Sequence, residues 1–160
     1  MVSIIPASEL LDKHDLNYFK EGSTFGALSE KAILFLLNRG EIIRLEPGDR
    51  LFTYGDKANG FFIILEECIN FYKPSKSGDC HIRDYCFGME VGFMAMIGLH
   101  DRSGTGKGGD NGATVLEVTT ALFSELQQEL PNDFGVLLLN LAREMSRRLR
   151  EADNRLAEVE

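Results

Sequence analysis

Between Glu41 and Thr119 the chain is cut into short runs rich in β-branched and aromatic residues: "EIIRLE", "RLFTY", "GFFIIL", "CINFYK" and "HIRDYCFG", with "ATVLEVT" as one more. Pro47-Gly48-Asp49, Gly55-Asp56 and "KPSKSGD" separate them. Turns recurring about every 8–12 residues between such runs argue an all-β sandwich or barrel rather than alternating β-α units. Helical patterns flank this region. Leu10, Leu11, Leu16 and Phe19 predict a first helix over Ser8 to Phe19. Ser29 caps a second, with Glu30 at its positive end, Ile33, Leu34, Leu36 and Leu37 on its buried side, and Gly40 at its close. A third, "TALFSELQQEL", begins at Thr119 or Thr120, and Pro131 opens a long fourth.

The long helix carries Phe134, Leu138, Leu141, Met145, Leu149, Ala152, Leu156 and Val159 at steps of mostly alternating four and three. That one-sided stripe packs its first half on the β region. Its second half has few other partners in a 160-residue chain, so a symmetric helix–helix homodimer is the expected way to bury it. A helix folded back on its own domain is the alternative.

A chain of this length is most simply one domain. The charge balance is acidic, 17 basic against 25 acidic side chains, net -8, which disfavours broad contact with a phosphate backbone. A small phosphate ligand in a local basic pocket remains compatible with it. No apolar run reaches the roughly 20 residues of a membrane span, and the first residues lack a secretory signal. The three cysteines, Cys68, Cys80 and Cys86, are accordingly expected as reduced thiols in a cytoplasmic protein.

The stretch "HDRSGTGKGGDNGATV", His100 to Val115, invites a phosphate-loop reading. It fails as a P-loop. The first required glycine falls on Asp101, the hydroxyl position after Lys107 is Gly108, and no strand-to-helix setting surrounds it. Gly104, Gly106 and Gly109 match a dinucleotide fingerprint only nominally, and Gly104 to Gly112 is expected as an irregular, flexible segment. Just upstream, "FGMEVGFMAMIGLHDRS" is more informative. A short helix starting at Gly92 would aim its free amides at an anion, and Arg102 could fold back to pair with the same anion.

In order and spacing these segments resemble the cyclic-nucleotide-binding domain family, the sensor domain of catabolite-activator and protein kinase A regulatory-subunit type. The resemblance runs from about Phe25 to Leu156. "LEPGDRLFTYGDKANGFFIIL" is similar to the family's Pro-Gly-(Asp/Glu) turn, Gly-Asp turn and Phe-Tyr-Ile-Ile strand, and "LAREMSRRLRE" to its last helix. Gly92-Phe93-Met94-Ala95-Met96-Ile97 and Asp101-Arg102-Ser103-Gly104-Thr105 stand where the family has its phosphate-binding cassette. The resemblance implies a mostly β fold with flanking helices, a double-stranded β-helix (jelly-roll) β-roll with an N-terminal helix and two C-terminal helices. Its divisions are residues 1–24 as a helical extension, 25–130 as the β-roll and 131–160 as the C-terminal helix. It further implies a regulatory sensor that is no enzyme, with no bound cofactor. Cyclic AMP or cyclic GMP is the candidate ligand, held by Gly92, Phe93, Met94, Ala95, Arg102 and Ser103 and reported through the C-terminal helices.

The departures from the family pattern fall in the cassette. Phe93 occupies the place of the glutamate that accepts a hydrogen bond from the ribose 2′-hydroxyl, and a phenyl ring cannot accept it. A hydrogen bond to a charged group is worth about 1.5–3 kcal/mol, roughly ten- to a hundredfold in affinity. Phe93 is also expected to take up space where ribose would sit. Asp101 replaces the proline before the arginine, the glycine segment replaces a β-branched strand, Glu67 replaces a turn glycine, and Ala152 and Asp153 stand where some members touch the base.

The alternative reading is a degenerate domain that acts only as a dimerisation or protein-interaction scaffold, with Phe93 filling the pocket. A cupin-type metal enzyme would need converging histidines, whereas His14, His81 and His100 form no HxH pair. Cys80 and His81 are adjacent strand residues pointing to opposite faces. Met89, Met94 and Met96 read as core filling. Arg143, Arg147, Arg148 and Arg150, interleaved with Glu144, Glu151 and Asp153, read as an ordinary charged helix face. With no winged-helix segment after the long helix, no direct DNA binding is expected, and no membrane partner.

Overall fold

The computed structural model describes residues 1–159; the last residue of the 131–160 segment lies outside them. Strand β1 (Ser3–Ile5) is followed by α1 (Ala7–Lys13), α2 (Leu16–Lys20) and α3 (Glu30–Arg39). Then come β2 (Glu41–Leu45), β3 (Arg50–Phe52), β4 (Gly60–Ser75), β5 (Gly78–Cys86), β6 (Glu90–Val91) and the short α4 (Phe93–Ile97). β7 (Thr105–Thr119), α5 (Thr120–Glu129) and α6 (Pro131–Glu158) complete the described chain. The strands form one antiparallel sheet in the order β1-β2-β7-β4-β5, with β3 on β7 and β6 on β4. This is the expected β-roll with flanking helices.

Strand β4 organises the roll. Its run Phe61-Phe62-Ile63-Ile64-Leu65 is buried on both faces. Phe61, Ile63 and Leu65 face a core built with α3, α5 and α6, whereas Phe62 and Ile64 face the interior with Leu45, Phe52, Ile69 and Val115. An unbroken apolar run suits a strand covered on two sides better than an alternating one would. β4 pairs with β7 in two stretches, Gly60–Glu67 with Ala113–Thr119 and Ile69–Tyr72 with Thr105–Gly108. The ladder is interrupted near Glu67, whose φ of 60° takes the left-handed backbone that the resemblance assigns to glycine.

The caps follow local chemistry. Ser29 accepts from the Ala32 amide and Thr119 from the Leu122 amide, each at 3.1 Å, and the Gly40 amide closes α3 on the Leu36 carbonyl. Leu34 is only half-buried on α3. The single helix expected from Ser8 to Phe19 is two, because the Asp15 carboxylate accepts from the Tyr18 amide and restarts the helix. Ahead of them, β1 pairs with β2, so the first residues also belong to the sheet.

Two expectations are corrected. Gly104 to Gly112 is not an irregular loop: from Thr105 onward it is strand β7. Its glycines answer to close approach of neighbouring backbone. A Cβ on Gly108 would lie 2.6 Å from the Glu46 carbonyl oxygen, and Gly112, at φ 73°, has the Leu45 carbonyl where its Cβ would be. Cys68 and Cys86 are also not both free thiols. They stand directly opposite on β4 and β5 and form a disulfide, which leaves Cys80 as the free cysteine. Closing so short a loop restricts the unfolded chain by about 3 kcal/mol in the chain-entropy picture.

Gly112→Ala is expected to cost at least about 3 kcal/mol, because a left-handed backbone and a steric overlap coincide there. Gly48→Ala, also at positive φ but with open space around it, should cost only about 1 kcal/mol. Urea unfolding of both variants checks this; equal losses would contradict the close-approach account.

Candidate functional site

The site is assembled around one turn. β6 pairs with Phe62 and Ile63 of β4 and delivers the chain to Gly92, which has φ 93°. A Cβ at Gly92 would stand 2.5 Å from Nη1 of Arg102, so glycine is required by both its backbone and its neighbour. α4 follows, and the chain returns to Arg102, which the Gly55-Asp56 turn holds by two backbone bonds. The Arg102 amide donates to the Asp56 carbonyl (2.8 Å) and the Gly55 amide to the Arg102 carbonyl (2.9 Å).

The Arg102 side chain runs inward and is only 5% exposed. Nη1 donates to the Gly92 carbonyl at 2.9 Å and Nη2 to the Gly60 carbonyl at 2.6 Å. The guanidinium lies over the rings of Phe52 and Phe62, at 4.9 and 5.5 Å from their centroids. Its Nε is buried without a hydrogen-bond partner. Among the described residues no carboxylate reaches it within ion-pair distance; Glu117 and Asp56 act on it only through space. Burial pulls its pKa below the usual arginine value. The protein has thus buried a cation whose direct partners are carbonyl dipoles and aromatic faces.

Gly92, Met94, Ala95, Arg102 and Ser103 line one cavity of about 550 Å³, together with Phe52, Tyr85 and Val91 of the roll and Met145 and Leu149 of α6. The sixth expected residue is a correction. Phe93 is 2% exposed and turns away into the core, edge-on to Phe61 (5.2 Å) and Phe123 (5.9 Å). Burying the ring in an aromatic cluster is the more favourable use of its area. It neither lines the cavity nor fills it. The Phe93 amide is also committed, donating to the Glu90 carboxylate at 3.1 Å, so the first N–H of α4 is not available to an anion.

Two charged residues have roles that the sequence reading did not give them: Glu90, which it passed over, and Arg148, which it placed on a charged helix face. Glu90 is fully buried, and its carboxylate pairs with Nη1 of Arg148 at 2.7 Å. Nη2 of Arg148 donates to the Glu90 backbone carbonyl, also at 2.7 Å, and the guanidinium lies over the Tyr85 ring. Arg148 is therefore not part of a solvated charged face; it ties α6 to β6 and, through Glu90, to the start of α4. Burial raises the Glu90 pKa, and Arg148 opposes that rise. The one local signal was a carboxylate set in the otherwise uncharged run "CFGMEVGFMAMIG". The histidines lie apart: His14 contacts Glu66, His81 contacts Asp84, and His100 contacts the Asp101 carbonyl. Met94 is half exposed at the cavity, whereas Met96 is core.

No family model and no curated protein matches the sequence. Solved structures do. A cyclic nucleotide-binding domain from Methylobacillus flagellatus superposes at TM-score 0.83 and 19% identity, over 99% of this chain and 89% of that one. The catabolite activator protein of Thermus thermophilus gives 0.73 at 20% identity, over 86% of this chain and 63% of that one. The regulatory domain of Toxoplasma gondii protein kinase A, solved with cyclic AMP, gives 0.59 at 16%, over 68% of this chain and 41% of that one. The chain has the cyclic nucleotide-binding-domain fold. These neighbours are described as binding domains and regulators, and identities this low establish the architecture alone. Among the described residues, no helix is long and apolar enough to cross a membrane.

Arg148→Met is expected to destabilise the protein by about 3–5 kcal/mol at neutral pH, since it leaves a buried carboxylate without its partner. The pH dependence has a definite sign. With its folded-state pKa raised above 4.5, Glu90 binds more protons folded than unfolded, so its contribution to stability falls as pH rises above about 4.5. Losing Arg148 removes an influence that holds this pKa down, so the variant's deficit should shrink at acid pH. Chemical denaturation at pH 4.5 and 7.5 checks this; a pH-independent deficit would contradict it.

Proposed function

We propose that the protein is a regulatory module that takes a small anionic ligand, a cyclic nucleotide or another phosphate compound, against Arg102 and reports its occupancy through α6. The observation that carries this reading is the buried guanidinium. It faces a roomy cavity with only carbonyl partners, and an anion would complete its coordination. The relay reading is supported by α6 itself, which supplies Met145 and Leu149 to the cavity wall and is tied to β6 by Arg148. Occupancy can act only by favouring one placement of that helix over another. The scaffold alternative expects Phe93 to plug the cavity, and the placement of Phe93 in the core speaks against it.

The reading includes a homodimer through α6. Leu137 and Leu141 are buried on the roll, whereas Leu149, Leu156 and Val159 are 64%, 69% and 84% exposed. From Met145 to Val159 the apolar positions step by four and three alternately, the spacing of a two-helix seam, so the partner proposed is a second copy of this chain.

Calorimetric titration with cyclic AMP, cyclic GMP and phenyl phosphate tests the ligand site. A saturable heat from at least one, weakened tenfold or more in Arg102→Gln, is expected; silence from all three would sink the reading. Sedimentation should show a dimer that Leu156→Asp converts to monomer, and a monomeric parent protein would remove the dimer from the proposal.

A further inference from the structure

All but one of the buried charges bordering the cavity are compensated inside the protein. Arg148 is paired with Glu90, and Arg83 reaches Glu151 at 3.3 Å. Lys73 stands exposed at the rim, where water serves it. Arg102 alone is both buried and without a carboxylate within ion-pair distance; its Nε lacks a partner, as does that of Arg148. A single anionic group answers that arrangement, since the other cations of the wall are paired or, at Lys73, stand in solvent at the rim.

The remaining walls set the character of the ligand's body. Phe52, Phe71, Tyr85, Val91, Met145 and Leu149 make them mostly apolar, with the hydroxyls of Ser103 and Ser146 as minor polar groups. No carboxylate is among the described lining residues. Phe93, at the position from which the family's glutamate would accept a sugar hydroxyl, faces the core. A ribose hydroxyl or a polar purine edge laid against these walls would give up water with little returned, whereas an aliphatic or aromatic group would gain from the same transfer.

Resting on the ligand-site reading above, we infer that the cavity's ligand class is a sugar-free amphipathic anion. It carries one phosphate or carboxylate group on an apolar body, with its head at Arg102 and its body between the roll and α6. The class is narrower than a phosphate ligand in general and differs from a nucleotide in what the walls ask of it.

Calorimetry on the full chain with 2-naphthyl phosphate, 2-naphthoate, cyclic AMP and inorganic phosphate separates the possibilities. At least one naphthyl compound should bind tenfold or more tightly than cyclic AMP and inorganic phosphate, and which one binds identifies the head group. Arg102→Gln should weaken it at least tenfold. Leu149→Glu, at a position exposed enough to leave folding intact, should weaken it at least fivefold by placing a carboxylate on the apolar wall, in a variant that sedimentation shows to keep the parent's oligomeric state. Cyclic AMP binding as tightly as the naphthyl compounds, with dependence on Arg102, overturns the inferred class and leaves the site reading standing. Naphthyl binding indifferent to Leu149→Glu also overturns it, because the body then lies elsewhere. No saturable binding by any of the four overturns the inferred class, and silence from cyclic GMP and phenyl phosphate as well overturns the site reading.

Discussion

Burial of β4 on both faces is the constraint on which the rest of the molecule depends. Phe61, Ile63 and Leu65 need the helical layer, and Phe62 and Ile64 need the roll interior. Neither face can be satisfied unless β7 pairs along the strand and α3, α5 and α6 close over it. The ladder with β7 is interrupted near Glu67, which lets one long strand pair serve two parts of a curved sheet. The glycines of β7 are the counterpart on the partner strand, since they permit the backbone of Leu45 and Glu46 to approach.

Two buried charges of opposite sign lie on either side of the Gly92 turn, and the fold treats them differently. Glu90 receives a full counter-charge from Arg148 and an amide from Phe93. Arg102 receives carbonyl oxygens and aromatic faces. Both guanidiniums keep a buried Nε without a partner, so the difference between them is the direct carboxylate that Arg148 has and Arg102 lacks. α6 takes part in the Glu90 pair through Arg148, and its Leu149 lines the cavity that Arg102 borders.

The cassette's departures from the family pattern take on a different meaning in three dimensions. As a string, Phe93 reads as an obstruction. In space it is part of the Phe61–Phe123 cluster, so the departure removes an acceptor from the site without removing the site. Asp101, which stands in place of the pattern's proline, is exposed and within 3.3 Å of Lys57 at the surface. The cavity that results keeps the arginine of the pattern, while Phe93 lies outside its lining.

Much of the architecture was legible because it rests on neighbours in the chain. The Ser29 and Thr119 caps, the Gly40 stop, Pro131 opening the last helix and the Gly55-Asp56 turn each depend on residues within a few positions. Of the candidate site, Gly92, Met94, Ala95, Arg102 and Ser103 were found by order and spacing, and the structure brings these five to one cavity. What tertiary structure alone decided depends on residues far apart in sequence. The glycine segment is a strand because β4 pairs with it, Cys68 meets Cys86 through register, and Phe93 turns inward because Phe61 and Phe123 wait there. Arg148 finds Glu90 across 58 positions. Local propensity carries no information about such meetings, because burial and strand register are properties of the assembled chain.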